Sequence, residues 1–293
     1  MAPLCIAQSS YSDPEQKGFQ RIPALLGQWH HYSRCYNQNI QSNVPGKEAK
    51  RMSRADYGID APPVVRNLAV GGAAIVIVGI LFFKLTSMPH LLSLIIGYWG
   101  ILAGGSMVLT ALLMVWSSKV GKLRQREMLI ASLKLKGNET VLDVGCGRGL
   151  LLNEAAKHLP HGKAIGVDLW QTMDQSGNKP EVTLENARAE GVAERVEVRT
   201  GDMRELPLPD GSVDAVVASL SIHNIPTKEG RAKAIQEIHR VLKPGGQIGL
   251  LDFMATDEYL AAFQALGWEM IDRSGSSFWI FPPVRVVSGR KPG

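Results

Sequence analysis

Val141-Leu142-Asp143-Val144-Gly145-Cys146-Gly147-Arg148-Gly149 decides the fold. A short β-branched strand runs into a tight glycine-rich turn, and Leu150–Leu159 behind it reads as a helix stopped by Pro160 and Gly162. Outward from this stretch, short strands alternate with helices. Strands are expected at Thr140–Val144, Ala164–Asp168, Val196–Arg199, Val213–Ala218, Gln247–Asp252, Trp268–Asp272 and Val284–Ser288. Helices are expected at Gln125–Leu133, Glu181–Glu190, Arg231–Val241 and Asp257–Leu266. Such alternation predicts a mostly parallel, doubly wound α/β sheet, with ligands bound at the carboxyl ends of its strands.

Two nucleotide readings compete for the glycine loop. A dinucleotide site wants G-x-G-x-x-G, but here the third glycine falls one residue early, at Gly149, and Leu150 holds the dinucleotide position. Asp143, two residues before the first glycine, would repel a pyrophosphate. It suits a cofactor carrying an ammonium and a sulfonium, which favours S-adenosylmethionine over NAD. Two further carboxylates come in the same order, Asp168 ending the second strand and Asp202 following the third. Asp168 can accept from ribose hydroxyls, and Asp202 from an adenine amino group, with Leu169 or Met203 packed on the ring.

D-V-G-C-G-R-G at 143–149, G-V-D at 166–168, G-D-M at 201–203 and R-V-L-K-P-G-G at 240–246 together resemble the class I S-adenosylmethionine-dependent methyltransferases. The quinone-biosynthesis-like small-molecule group is the nearest in kind, over about residues 125–290. The resemblance implies a Rossmann-like, seven-stranded sheet whose last strand is antiparallel. It implies that Asp143, Gly145 and Gly147 line the methionyl end, Asp168 the ribose, and Asp202 and Met203 the adenine. Ser219 matches the position next to the transferred methyl. Cys146 is a small residue common at that loop position, and reads as packing within the cofactor site rather than as a nucleophile. No metal is expected.

Ser221-Ile222-His223-Asn224-Ile225-Pro226 follows the fourth strand, where the family meets its methyl acceptor. His223 can deprotonate or hydrogen-bond an acceptor OH, NH or SH, or simply order the loop. Asn224 is a weaker positioning candidate. The connection Phe253-Met254-Ala255-Thr256 is too short for the lid that many small-molecule members carry there. Trp170–Pro180 is a polar loop that could cover the cofactor or the acceptor instead.

Upstream the character changes. From Asn67 to Ser118 the only charged residue is Lys84. Two apolar runs, about 67–84 and 91–117, predict a transmembrane hairpin within residues 64–118. Gly100 and Gly104 are spaced to let its helices approach. Lys47, Lys50, Arg51, Arg54 and Arg66 flank the first run, and Lys119, Lys122, Arg124 and Arg126 the second. The positive-inside rule places both ends, and a methyltransferase domain at 119–293, on the cytoplasmic side, with the basic flanks against membrane lipids. Residues 1–63 read as a disordered polar and basic segment, with Met52 an alternative start.

The charge balance supports this division. The chain carries +5 overall, but residues 127–293 hold 19 basic and 22 acidic side chains. That domain lacks the electrostatic footprint of a nucleic-acid binder. Three cysteines, at 5, 35 and 146, exclude a disulfide scaffold. A thinly lidded site beside a membrane hairpin points to a small, lipophilic methyl acceptor. A non-catalytic cofactor-binding scaffold and, less favoured, an NAD(P)-dependent oxidoreductase are the alternatives.

Overall fold

Strand periodicity and helix amphipathicity combine into one seven-stranded sheet in the computed structural model, which describes residues 55–85, 89–171 and 177–293. The strands are β1 (Thr140–Val144), β2 (Lys163–Asp168), β3 (Val196–Thr200), β4 (Val213–Ser219), β5 (Leu242–Asp252), β6 (Glu269–Arg273) and β7 (Arg285–Arg290). Their order is β3-β2-β1-β4-β5-β7-β6. The first five run parallel, and β7 lies antiparallel to both neighbours. The sequence-based fold is the observed one. Strand order reverses between β1 and β4, so their carboxyl ends open a crevice there.

The helices are α1 (Pro62–Leu85), α2 (His90–Trp116), α3 (Lys122–Ser132), α4 (Leu150–Lys157), α5 (Pro180–Ala189), α6 (Lys228–Val241) and α7 (Thr256–Ala265). Alternate residues of β1 feed opposite faces. Leu142 and Val144 pack with Ile235 and Ile238 of α6 and Phe263 of α7, whereas Val141 packs with Leu129 of α3 and Leu151 of α4. A sheet buried on both faces requires the near-continuous apolar strands seen here.

Two details differ from the sequence expectation. β5 begins at Leu242, pairs with Val213, skips the Lys243-Pro244-Gly245-Gly246 segment and resumes pairing at Gln247 with Ala215. The turn therefore sits inside the strand as a bulge, with Gly245 at φ +73°. Nor does the chain break between hairpin and sheet domain. α2 passes through one π-helical turn, Ser117–Gly121, directly into α3. His90–Ser132 is one rod of 43 residues, about 65 Å long. The π turn lies where Gly121 meets the Trp279 carbonyl, so closely that a methyl group would overlap it.

α1 and α2 pair antiparallel through glycines. A side chain on Gly104 would overlap the Gly72 carbonyl, and one on Gly79 the Gly97 carbonyl, with Gly100 stacked on Gly79. Ser93 Oγ closes the distal end by donating to the Phe82 carbonyl at 2.8 Å. Both helices are long and apolar enough to cross a membrane, and little of either is buried. Val70, Leu91 and Leu112 are each more than 60% exposed. The polar segment expected to be disordered lies outside the described residues as far as residue 54.

Residues 55–60 strap the hairpin to the sheet domain. The buried Lys122 ammonium donates to the Tyr57 carbonyl (2.7 Å), the Gly58 carbonyl (3.2 Å) and Asp60 Oδ1 (3.0 Å). Burial pulls its pKa down, and Asp60 opposes that shift. Arg126 lies beneath the Tyr57 ring, 5.0 Å from its centroid, and donates from Nη2 to Glu190 Oε1 at 3.1 Å. Its Nε is 3.2 Å from Glu154 Oε2 but off the N–H line, so that contact is charge attraction rather than an aligned hydrogen bond. Burial alone would raise the Glu154 pKa; His158, Arg126 and Lys157 hold it at about 2. Arg126→Met removes the buried guanidinium from Glu154 and Glu190 and leaves them to Lys157. The expected loss is about 3 kcal/mol, read as a shifted denaturation midpoint of the detergent-solubilised protein.

Candidate functional site

The crevice is shaped first by three glycines. Gly145, Gly147 and Gly149 adopt φ values of +72°, +50° and +82°, the left-handed region that side chains rarely enter. The backbone N–H groups of Gly145 and Cys146 donate to the Val167 carbonyl at 2.8 and 3.2 Å, folding the loop over β2. Ser221 Oγ donates to the Val144 carbonyl at 2.8 Å and presses on Gly145 so closely that a Cβ there would overlap it. From the other side Thr183 Oγ1 donates to the Gly147 carbonyl (2.6 Å) and Asn186 Nδ2 to the Arg148 carbonyl (2.9 Å).

Asp143 is buried behind the loop, where Oδ2 accepts from the Leu152 backbone N–H at 2.9 Å. Burial pushes its pKa up to about 8, and the nearby Asp168 adds to the rise. A carboxylate so placed gains from any cation brought to it. Cys146 is buried too; burial, Asp143 and Asp168 all push its thiol pKa up, which suits packing and not nucleophilic attack.

Asp168, at the end of β2, is already engaged. Its Oδ2 accepts from Gly147 N–H (2.8 Å), and its Oδ1 from Trp170 N–H (2.6 Å) and Asn178 Nδ2 (3.1 Å). One acceptor position remains on Oδ2, so a diol seated there takes one bond or displaces Asn178. Asp202 is gripped by Arg204, with Nη2 2.5 Å from Oδ2 and the Arg204 N–H 2.8 Å from Oδ1. That pairing holds its carboxyl below the usual range. Met203 packs against the core, and Leu169 is exposed. Asn224 reaches the Leu220 carbonyl only at 3.5 Å.

His223 sits in the short 3-10 turn Ile222–Asn224 beyond β4. Its Nδ1 lies 2.8 Å from Asp252 Oδ1, with a geometry too bent for a proper hydrogen bond. Phe253 meets the imidazole edge-on at 4.7 Å between centroids. Asp252, buried at the end of β5, also accepts from Phe253 N–H (2.8 Å) and, through Oδ2, from Tyr259 OH (3.0 Å). The sequence reading missed Asp252 and Tyr259. The available signal was a fourth Asp at or near a strand's carboxyl end, after Asp143, Asp168 and Asp202.

Every site residue expected from the sequence lines one cavity of about 850 Å³: Asp143, Gly145, Cys146, Gly147, Asp168, Leu169, Asp202, Met203, Ser219, His223 and Asn224. The opposite wall was not foreseen. It comes from Asp60, Ala61, Val64 and Met114 at the feet of the hairpin helices, Lys122, and Ile280-Phe281-Pro282. The lining cations are taken up within the protein: Arg148 by Asp56 at 3.3 Å, Arg204 by Asp202 and Lys122 by Asp60. With Asp143, Asp168 and Asp202 all in its lining, the cavity suits a cationic ligand and disfavours a pyrophosphate. S-adenosylmethionine fits that chemistry.

Residues 142–250 match the family model described as a methyltransferase domain. A demethylmenaquinone methyltransferase of Lactobacillus johnsonii is 32% identical over 158 residues, covering 54% of this chain and 57% of that protein. The sterol 24-C-methyltransferase ERG6B of Gibberella zeae is 33% identical over 137 residues, covering 46% of this chain and 33% of that protein. Among solved structures, geranyl diphosphate C-methyltransferase from Streptomyces coelicolor superposes with a TM-score of 0.47 at 18% identity, covering 57% of this chain and 75% of that one. The chain thus spans little more than half the length of the first relative and a third of the second.

Asp143 gives a signed pH prediction. Its folded pKa, about 8, lies above the ordinary 3.8, so its stabilising contribution is present at low pH and is lost as pH rises toward 8. Asp143→Asn keeps an acceptor for Leu152 N–H without the charge. Stabilities of the two ligand-free proteins, read from their melting temperatures, should therefore diverge in favour of the variant between pH 5 and 8, with a slope on the order of 1.4 kcal/mol per pH unit. Parallel pH curves would place the ionisation elsewhere.

Proposed function

We propose, from a chain whose sheet is a class I S-adenosylmethionine-dependent methyltransferase domain, that the protein methylates a small, lipophilic acceptor at the cytoplasmic face of a membrane in which the α1–α2 hairpin is anchored. The observation that carries this reading is the single cavity running from the glycine loop, past His223, to the feet of α1 and α2. The hairpin, with Lys84 its one charge between Asn67 and Ser118, its basic flanks and the lipophilic compounds in the relatives' names support it.

When bound, S-adenosylmethionine supplies an electrophilic methyl group on sulfur. Asp143, Gly145, Cys146 and Gly147 would hold the methionyl end, Asp168 the ribose, and Asp202, Met203 and Leu169 the adenine, with Ser219 beside the methyl. Transfer is an in-line displacement, so the domain's main contribution is to fix the acceptor opposite the leaving sulfur. His223 stands at that end of the cavity as base or hydrogen-bond partner for the acceptor, with Asp252 as its positioning residue and Asn224 beside it. The imidazole's place in the cavity wall, beside Asp252 and Phe253, supports this role.

Asp168→Ala and Asp143→Ala should each weaken S-adenosylmethionine binding by at least about tenfold, or 1.4 kcal/mol, in calorimetric titration. Undiminished binding in both would contradict the site. His223→Ala should leave that affinity within about twofold yet slow label transfer to an organic-phase product by about 10²-fold or more. Binding without transfer to any compound of a membrane lipid extract would assign the chain to the non-catalytic reading instead.

A further inference from the structure

The segment between β6 and β7 crosses to the foot of the hairpin and is fixed there. Trp279 stacks on Trp116 of α2, with 5.8 Å between centroids and 18° between planes. The Phe281 N–H donates to Ser117 Oγ at 3.1 Å, and Ser277 Oγ to Gln125 Oε1 at 2.7 Å. A loop held this firmly still leaves Phe278 74% exposed and Trp279 39% exposed. Adjacent large apolar side chains held outward on a fixed loop suit contact with an apolar surface outside the protein's own core.

The partner's chemistry follows from two further observations. Tyr98 and Trp99 form an edge-to-face pair nearer the far end of α2, and each is 62% exposed. Trp116 follows Trp99 by seventeen positions of one helix, a rise of about 25 Å along the axis. That spacing approaches the roughly 30 Å between the two aromatic belts of a bilayer. The inner side of the same loop, Ile280-Phe281-Pro282, lines the site cavity opposite Val64 and Met114.

We propose that the 277–282 loop is a membrane-contact element, seated at the headgroup–acyl boundary, and that it forms one lip of a lateral mouth to the site. The other lip is the hairpin foot at Val64 and Met114. An acceptor of the class that fits keeps its apolar tail in the bilayer and passes its polar head between the lips to His223. The inference rests on the anchored-methyltransferase reading and adds to it a third contact with lipid and a route.

The test uses the full chain, with Cys5 and Cys35 replaced by Ser, in phosphatidylcholine nanodiscs containing phosphatidylglycerol. Spin labels are placed singly by Phe278→Cys, by Leu109→Cys midway between the two aromatic positions of α2 and by Glu194→Cys at the amino end of β3, on the opposite sheet edge. The ratio of accessibility to oxygen over a water-soluble nickel chelate should be several-fold higher at 278 than at 194, and highest at 109. A lipid-like label at 109 with a water-like one at 278 overturns the loop contact and leaves the anchor intact. Water-like labels at both overturn the anchor, and the inference with it. Met114→Trp, which narrows the mouth, should lower methylation of lipid-extract compounds several-fold while leaving S-adenosylhomocysteine affinity within twofold. Unchanged methylation overturns the route.

Discussion

Three oxygens around one buried ammonium join the parts of this molecule. The Tyr57 and Gly58 carbonyls and the Asp60 carboxylate surround Lys122. The strap before α1 and the rod formed by α2 and α3 are thereby fixed to each other beside the glycine loop. Lys122 is too deeply buried to stand without partners. Once they are satisfied, the hairpin cannot swing as though on a flexible linker. Arg126, one helical turn on, repeats the device with Glu154, Glu190 and the Tyr57 ring. The cavity's second wall depends on these two cations, because they set where Ala61, Val64 and Met114 stand.

The first wall has a different origin. Left-handed glycines fold the loop tightly enough for Ser221 to reach the Val144 carbonyl, and Asp143 is sealed behind it. Burial makes that carboxylate costly to ionise unless a cation arrives. Beside it, Asp168 and Asp202 are held by internal donors, which fixes their geometry before any ligand enters. Preorganisation of this kind lowers what binding must spend on ordering side chains.

Much of this was legible in the sequence. Strand and helix periodicities are local, and the glycine spacing with its nearby acidic residues is a local signature too, so both the fold and the glycine-loop side of the cavity could be read directly. What escaped the reading depends on distant residues. Gly72 and Gly79 matter only because Gly104 and Gly97 pack against them. The rod runs unbroken through 117–121, and there Gly121 leaves room for the Trp279 carbonyl, a residue 158 positions away. Asp252 gains meaning only when the parallel pairing of β4 and β5 brings it beside His223. The 277–282 loop carries no periodic signal, and its place follows from β7 turning back along β5.

The central claim is that a lipophilic small molecule, drawn from the membrane, receives the methyl group. The most direct measurement offers the solubilised protein labelled S-adenosylmethionine together with a whole-cell lysate, membranes included, and identifies the labelled products by mass spectrometry. The account predicts label in an organic-extractable small molecule with an apolar tail. Label found exclusively in protein or RNA would contradict it.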